Sequence, residues 1–463
     1  MKSTQKSIVV IGGGPGGYVA AIQAACLGAS VILIEKDKLG GTCINRGCIP
    51  TKALIESSET YRAVKNAAAF GVHAGDCTID FTKIAQRKND VTKKMVAGVG
   101  YLMRKNKITV LNGHATIAKG NIVRVEDEKN SELKPDAIII ASGSVPATVN
   151  VKGANSGGVM NSDDILELKE LPESLAIVGG GVVGLEFAEI FSTLGVKTTV
   201  IEMMNQLIPG EDKDVAATLE KIMKKRGVDI RTSTTVEGIR DQSKGCKELT
   251  VITAGEKKTI KAARVLIAVG RKPCTDNLGL ANIGVKTQNG FIVVDSFLKT
   301  DHPSVYAIGD AIGGFMLAHK AMAEGRCAAK NVMGMAEKMD YRAVPRCIWT
   351  EPEVAAVGLT QEEATEKHGE INVATFPMTA NGKAKILDST EGFVKIIAEK
   401  KYNEIVGVHI VAPAATEMIT AASIGIQMEY TCEELTAVIH PHPTVSESML
   451  EAGLLLEANP IHI

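Results

Sequence analysis

Ile8-Val-Val-Ile-Gly-Gly-Gly-Pro-Gly-Gly17 is the stretch on which the fold turns. Ile8 to Ile11 is a short β-branched run, apolar on both faces, as a buried parallel strand requires. Gly12, Gly14 and Gly17 then supply the spacing G-x-G-x-x-G. Tyr18 to Leu27 has a helical pattern, Gly28 stops it, and Ser30 to Ile34 reads as a second strand. That strand ends on Glu35, eighteen residues past Gly17. Such glycines let the backbone approach a pyrophosphate at a helix N-terminus, and the acid accepts hydrogen bonds from a ribose. A glycine fingerprint alone is weak, but here every part of the strand–turn–helix–strand unit is in frame. Ser7 to Ile34 is also free of charge and follows Lys2 and Lys6, the pattern of a signal peptide or membrane span. The glycine–proline cluster at its centre would ruin an isolated apolar helix, and the membrane reading is rejected.

The same unit returns at Leu175. Leu175 to Val178 is strand-like, Gly179, Gly181 and Gly184 repeat the spacing, and Leu185 to Leu194 is helical up to Gly195. Lys197 to Ile201 then ends at Glu202, again eighteen residues past the third glycine. A chance glycine cluster would not repeat its acid at one offset, so the chain holds two dinucleotide units. Glu202 is followed by Met203-Met204-Asn205 with no arginine, which points to NAD rather than NADP unless a distant arginine supplies the charge.

The 463 residues suggest about three domains. A hydrophobic content of 45% with 45 glycines describes a well-cored α/β protein. The net charge of −1, from 52 basic and 53 acidic residues intermixed, argues against nucleic-acid and membrane-surface partners. Nine scattered cysteines do not make a secreted disulfide framework; a reducing, cytoplasmic location fits them.

Between the two units lies Gly40-Gly-Thr-Cys-Ile-Asn-Arg-Gly-Cys-Ile-Pro-Thr-Lys-Ala53. Cys43 and Cys48 are close enough for one disulfide if the backbone turns between them, and Gly47 makes that turn cheap. Pro50 suits the first turn of a helix, whose N-terminus stabilises a thiolate. Two inert cysteines or half a zinc site are the competing readings. Cys26 and Cys77 are poorly placed to complete the zinc site.

The rest of the chain is read more coarsely. Ile55 to about Val99 reads as helical, Lys107 to Glu126 as short strands, and Asp136 to Ser144 as a buried strand ending in a small-residue turn. Arg264 to Arg271 is another buried strand and turn. Asp310 follows a glycine at the end of an apolar strand, where a carboxylate meets a sugar-like hydroxyl chain or caps a helix. From about Tyr341 strands such as Phe393 to Ile397 and Ile405 to Val411, then a helix from Ala415 to Glu429, indicate a third, α+β domain. It closes on His440-Pro-His-Pro-Thr-Val-Ser-Glu447. A histidine with a carboxylate five residues on suits proton transfer, a surface pair, or an adventitious metal site.

Together these segments resemble, over essentially the whole chain, the flavin-dependent pyridine nucleotide–disulfide oxidoreductases, and within them the dihydrolipoamide dehydrogenase branch. The cysteine stretch and the His-Pro-Thr-Val-Ser-Glu close are the most specific pieces. The resemblance implies two Rossmann-like domains and a C-terminal α+β dimerisation domain: FAD-binding 1–147 and 271–341, NAD-binding 148–270, interface 342–463. It places FAD on Gly12, Gly14, Gly17, Glu35, Lys36, Thr42, Lys52, Gly113, Ser142, Gly143, Asp310 and Ala318. NAD falls on Gly179, Gly181, Gly184, Glu202 and Gly270. It pairs Lys52 with Glu186 beside the flavin, faces Cys48 to the flavin and Cys43 to the substrate, and makes His442, oriented by Glu447, a base contributed across a homodimer. No metal is implied. The departures are small: Ala141-Ser142-Gly143 stands where Ala-Thr-Gly is usual, and Pro441 where alanine is usual.

The implied activity is oxidation of dihydrolipoamide with reduction of NAD+, serving a lipoyl-bearing E2 or H-protein of a 2-oxo acid dehydrogenase or glycine-cleavage complex. No lipoyl domain is expected ahead of Met1, and the absence of a cysteine pair in Asn459-Pro-Ile-His-Ile463 counts against a mercuric reductase. An NADPH-driven glutathione-type reductase is disfavoured by the missing arginines. A non-enzymatic redox sensor would not need Lys52, Glu186, His442 and Glu447 together.

Overall fold

A computed structural model describes residues 5–242 and 245–463. The strands Ser7–Ile11 and Ser30–Glu35 lie parallel and in register, joined over the helix Pro15–Cys26. They belong to a five-stranded parallel sheet ordered Val305–Ala307, Ala137–Ile140, Ser7–Ile11, Ser30–Glu35, Thr109–Asn112. Ile138, Ile139 and Ile140 are buried completely, which explains an apolar run without alternation.

A second parallel sheet repeats this plan. Its order is Val159–Met160, Arg264–Ile267, Ser174–Val178, Lys197–Ile201, Asp229–Arg231. Each sheet also carries a three-stranded antiparallel excursion, at 114–133 just before the strand Ala137–Ile140 and at 234–262 just before Arg264–Ile267. One edge differs. The first sheet is closed by Val305–Ala307, far downstream, so the chain leaves the first unit, builds the second and returns. The two crossings run side by side, with Ser144–Pro146 antiparallel to Arg271–Pro273.

The C-terminal sheet is antiparallel, ordered Arg346–Ile348, Glu353–Gly358, Ile405–Ala412, Phe393–Glu399, Ile371–Pro377. The helices Ala415–Gln427 and Glu447–Leu456 pack on it around a core that includes Val408, Ile410, Ile419 and Ala452. Among the described residues no helix is long and apolar enough to cross a membrane.

One expected element is corrected. The continuous helix from Ile55 to Val99 is two helices, Cys48–Asn66 and Phe81–Lys105. A short 3-10 turn ends at Gly71, whose φ of 75° is the left-handed conformation that terminates helices. The second helix starts afresh at Asp80, whose carboxylate caps it by accepting from the Lys83 N–H.

Candidate active site

The cysteines sit where two helices meet. Cys43 lies in Gly41–Arg46 and Cys48 opens Cys48–Asn66, with Gly47 turning the chain between them. The Asn45 amide ties the first helix down by donating to the carbonyls of Leu39 and Gly41 at 3.1 and 2.9 Å. Both cysteines are half-buried thiols, and the Cys43 thiol donates to Cys48 sulfur. That hydrogen bond lowers the pKa of Cys48 to about 7, against its burial and with help from the Lys52 charge. The same contact, with burial, drives Cys43 strongly upward. Cys48 is thus the more acidic thiol of the pair.

Lys52 is one helical turn beyond Cys48, on the same face. Its Nζ lies 2.8 Å from both carboxylate oxygens of Glu186, a buried residue of the helix Val182–Thr193 in the second dinucleotide unit. The pair therefore bridges the two units at the cysteines.

In the first unit Glu35 is buried and accepts from the Gly13 and Asp37 N–H groups at 2.7 and 2.8 Å. Burial raises its pKa, opposed by the Gly13 hydrogen bond. Gly17 packs so tightly that a Cβ would stand 1.9 Å from the Gly12 carbonyl oxygen. Gly14 opens the helix Pro15–Cys26 as its N-cap. Gly113 donates to the Glu35 carbonyl at 3.0 Å, and Lys36 is exposed. Asp310 does not cap a helix: its carboxylate accepts from Ser144 Oγ, and Arg271 Nε stands 3.9 Å away. Arg271 in turn donates to Ser144 Oγ at 2.7 Å and reaches Thr42 Oγ1 at 3.5 Å. Ala318 starts the helix Ala318–Val332. Ser142 Oγ, at the C-terminal end of the strand Ala137–Ile140 and next to Gly143, is buried without a hydrogen-bond partner among the described residues. An orphaned hydroxyl beside a glycine turn at a strand end fits a bound dinucleotide, whose polar atoms would satisfy it.

The second unit repeats this geometry. Glu202 accepts from Gly180 and Met204 N–H at 2.6 and 2.7 Å, and a Cβ on Gly184 would stand 2.0 Å from Gly179 O. Gly181 is the N-cap of the helix Val182–Thr193, and Gly270, with φ of 112°, follows the strand Arg264–Ile267. The sheet also brings an arginine to this end: Arg231 pairs in register with Ile201. Its Nε is engaged by Asp229 Oδ2 at 3.0 Å.

His442 and Glu447 meet: His442 Nδ1 is 2.8 Å from Glu447 Oε1, and Glu447 Oε2 accepts from the Thr444 N–H at 2.8 Å. Burial raises the Glu447 pKa, but the Thr444 and His442 contacts outweigh it and hold the carboxyl low. The His442 side chain is 79% exposed, and among the described residues no hydrogen bond or ion pair joins it to the cysteines of its own chain. Beside it, Ile439 is 95% exposed.

Residues 6–325 match the model of the pyridine nucleotide–disulphide oxidoreductases, and residues 344–453 match that family's dimerisation domain. The chain belongs to this family. It is 40% identical to a dihydrolipoyl dehydrogenase of Bacillus subtilis (strain 168), over 99% of this chain and all of that one. The mitochondrial dihydrolipoyl dehydrogenase of Pisum sativum is 39% identical over 100% and 93% of the two chains. Among solved structures, LpdA from Mycobacterium tuberculosis superposes with a TM-score of 0.90 at 27% identity, covering 97% of this chain and 99% of that one. The Cu(II) complex of the HOCl-induced flavoprotein disulfide reductase RclA from Escherichia coli gives 0.87 at 30%, covering 98% and 99%.

As a member of the pyridine nucleotide–disulphide oxidoreductases the protein takes FAD and NAD. Three residues at the site escaped the sequence reading. Arg271 and Ser144 are held together by the antiparallel crossing, which no local pattern announces. Trp349 was detectable as the sole tryptophan; its ring centroid lies 4.2 Å from Lys52 Nζ.

Proposed function

We propose that the protein oxidises dihydrolipoyl groups to lipoyl groups, with NAD+ as the final acceptor. The observation that carries this is the Cys43–Cys48–Lys52–Glu186 cluster, set between two dinucleotide units in a chain that also presents a His442–Glu447 pair outward. His442 Nε2, free on the side away from Glu447, accepts a proton from one dihydrolipoyl thiol. The resulting thiolate attacks Cys43 of the Cys43–Cys48 disulfide, and Cys48 leaves as a thiolate. Lys52 stabilises that leaving charge, its ammonium being one of the causes that hold the Cys48 thiol below its ordinary pKa. The second dihydrolipoyl thiol gives up its proton to the medium, and its sulfur attacks the lipoyl sulfur of the mixed disulfide. Cys43 departs and recovers the proton from His442. Bound FAD supplies the two-electron relay from the Cys43–Cys48 dithiol to NAD+, with Glu35, Ser142 and Asp310 among the residues that would hold it.

His442 comes from the partner chain of a homodimer, in keeping with its exposure and with the dimerisation domain around it. The lipoyl group arrives on an E2 or H-protein in the cytoplasm. Purified protein should reduce lipoamide with NADH about tenfold faster than with NADPH, or more, and Glu202→Ala with Met203→Arg should narrow the ratio. Equal rates in wild type would remove the NAD assignment, and no lipoamide reduction with either would remove the substrate.

A further inference from the structure

Lys52 stands with one face against a carboxylate and another against an aromatic ring. Nζ is 2.8 Å from the Glu186 oxygens and 4.2 Å from the Trp349 ring centroid. Tryptophan is the best π-acceptor of an ammonium among the side chains, and the contact lies well inside the ~6 Å range of the effect. Trp349 touches the carboxylate as well, since its backbone N–H donates to Glu186 Oε1 at 3.3 Å. It directly follows the strand Arg346–Ile348 of the C-terminal sheet and packs on a core that includes Leu54 and Ile55 of the cysteine helix and Leu185 and Phe187 of the second unit. One residue thus meets all three parts of the chain at the redox centre. Filling a gap there would call for any large apolar side chain; this one turns its π-face to a cation.

We propose that Trp349 is a positioning residue for the redox pair: its indole face holds the Lys52 ammonium in place, and through Lys52 it stabilises the Cys48 thiolate. Without the ring, one side of the ammonium faces water and the lysine follows Glu186 alone. Glu186 itself opposes the thiolate. The inference rests on the proposed roles of Lys52 and Cys48, yet its readout is the ionisation of one thiol, which survives even if the lipoyl substrate is wrong.

Because the chain has a single tryptophan, biosynthetic replacement by mono-, di- and trifluorotryptophan alters this site alone. Fluorination drains the ring's π-face with little change of volume. The experiment uses the reduced, full-length holoenzyme and measures the pH dependence of carbamidomethylation at Cys48, located by peptide mass. The midpoint should climb stepwise through the series, by about half to one pH unit in all. Trp349→Phe, which keeps a ring, should shift it less than Trp349→Leu. A midpoint that stays flat through the fluorinated series overturns the proposal. So does an equal shift in the two substitutions, which would mean that packing alone matters. If Trp349→Leu does not fold, the fluorinated series decides by itself.

Discussion

Lys52 and Glu186 are separated by 134 residues and share a part-buried contact, a distance over which sequence spacing carries no information. Cys43 and Cys48 were legible as a candidate pair because they share one turn at the head of a helix; Lys52 and Glu186 entered only through the family resemblance. Trp349 stood out in the sequence only as the sole tryptophan, because its meaning lies in what it touches. The two lesions that separate the chemistry fall at this scale. Cys48→Ser should abolish lipoamide turnover while FAD stays bound and NADH-to-dye transfer persists, because that path needs no thiol; retained lipoamide turnover removes Cys48 from the reaction. His442→Gln removes the proton acceptor for a thiol that is mostly protonated near neutral pH, and only the thiolate attacks a disulfide. Steady-state lipoamide assays should fall about 10²–10⁴-fold, with Glu447→Gln milder because it only orients and polarises the ring. A His442→Gln enzyme at wild-type rate would mean that the base lies elsewhere.

At the scale of elements, both dinucleotide turns were legible because each is a local pattern: the Gly13 and Gly180 N–H groups donate to Glu35 and Glu202 in matching geometry. The break at Gly71 was lost to an Ala- and Lys-rich run that looked helical throughout. The antiparallel sheet hides a further feature. His409, completely buried on the strand Ile405–Ala412, lies opposite Lys395, with Asp212 and Arg346 also facing it. Its Nε2 contacts the Leu359 carbonyl at 2.9 Å. Burial lowers its pKa to about 4, the Leu359 carbonyl and Asp212 opposing and the Arg346 and Lys395 charges reinforcing. A depressed histidine favours the native state fully above its unfolded value of about 6.5, and that contribution drains as pH falls toward the folded value. Urea unfolding should therefore show the advantage of wild type over His409→Gln shrinking between about pH 6.5 and about pH 4. The shrinkage is on the order of 3 kcal/mol at most. A constant gap would mean that His409 takes up its proton alike in the folded and the unfolded chain.

For the whole molecule, the C-terminal region read correctly as α+β, while its purpose is not written within one chain. His442 and Glu447 form their pair at an exposed edge, beside an Ile439 left almost bare. On the proposed reading, His442, in a domain whose family role is dimerisation, acts as the base where a second copy brings its cysteines alongside. That arrangement has a consequence no single-chain site shares. Cys48→Ser homodimers should be inactive toward lipoamide and His442→Gln homodimers nearly so, since on the proposed reading every site in the first lacks the thiol and every site in the second lacks the base. In a heterodimer the shared geometry sorts the lesions unevenly. One site joins the cysteine helix carrying Cys48→Ser to the closing loop carrying His442→Gln and is doubly defective. The other joins an intact Cys43–Cys48 pair to an intact His442–Glu447 pair. Dissociating and reassociating equal amounts of the two proteins yields about half heterodimer by random pairing, with one intact site in two, so the mixture should recover about a quarter of wild-type lipoamide turnover. A site contained in one chain would recover nothing, because each chain keeps its own lesion. Heterodimers isolated by differential tagging that stay inactive, beside wild-type protein that survives the same treatment, would place the base and the thiol in one subunit.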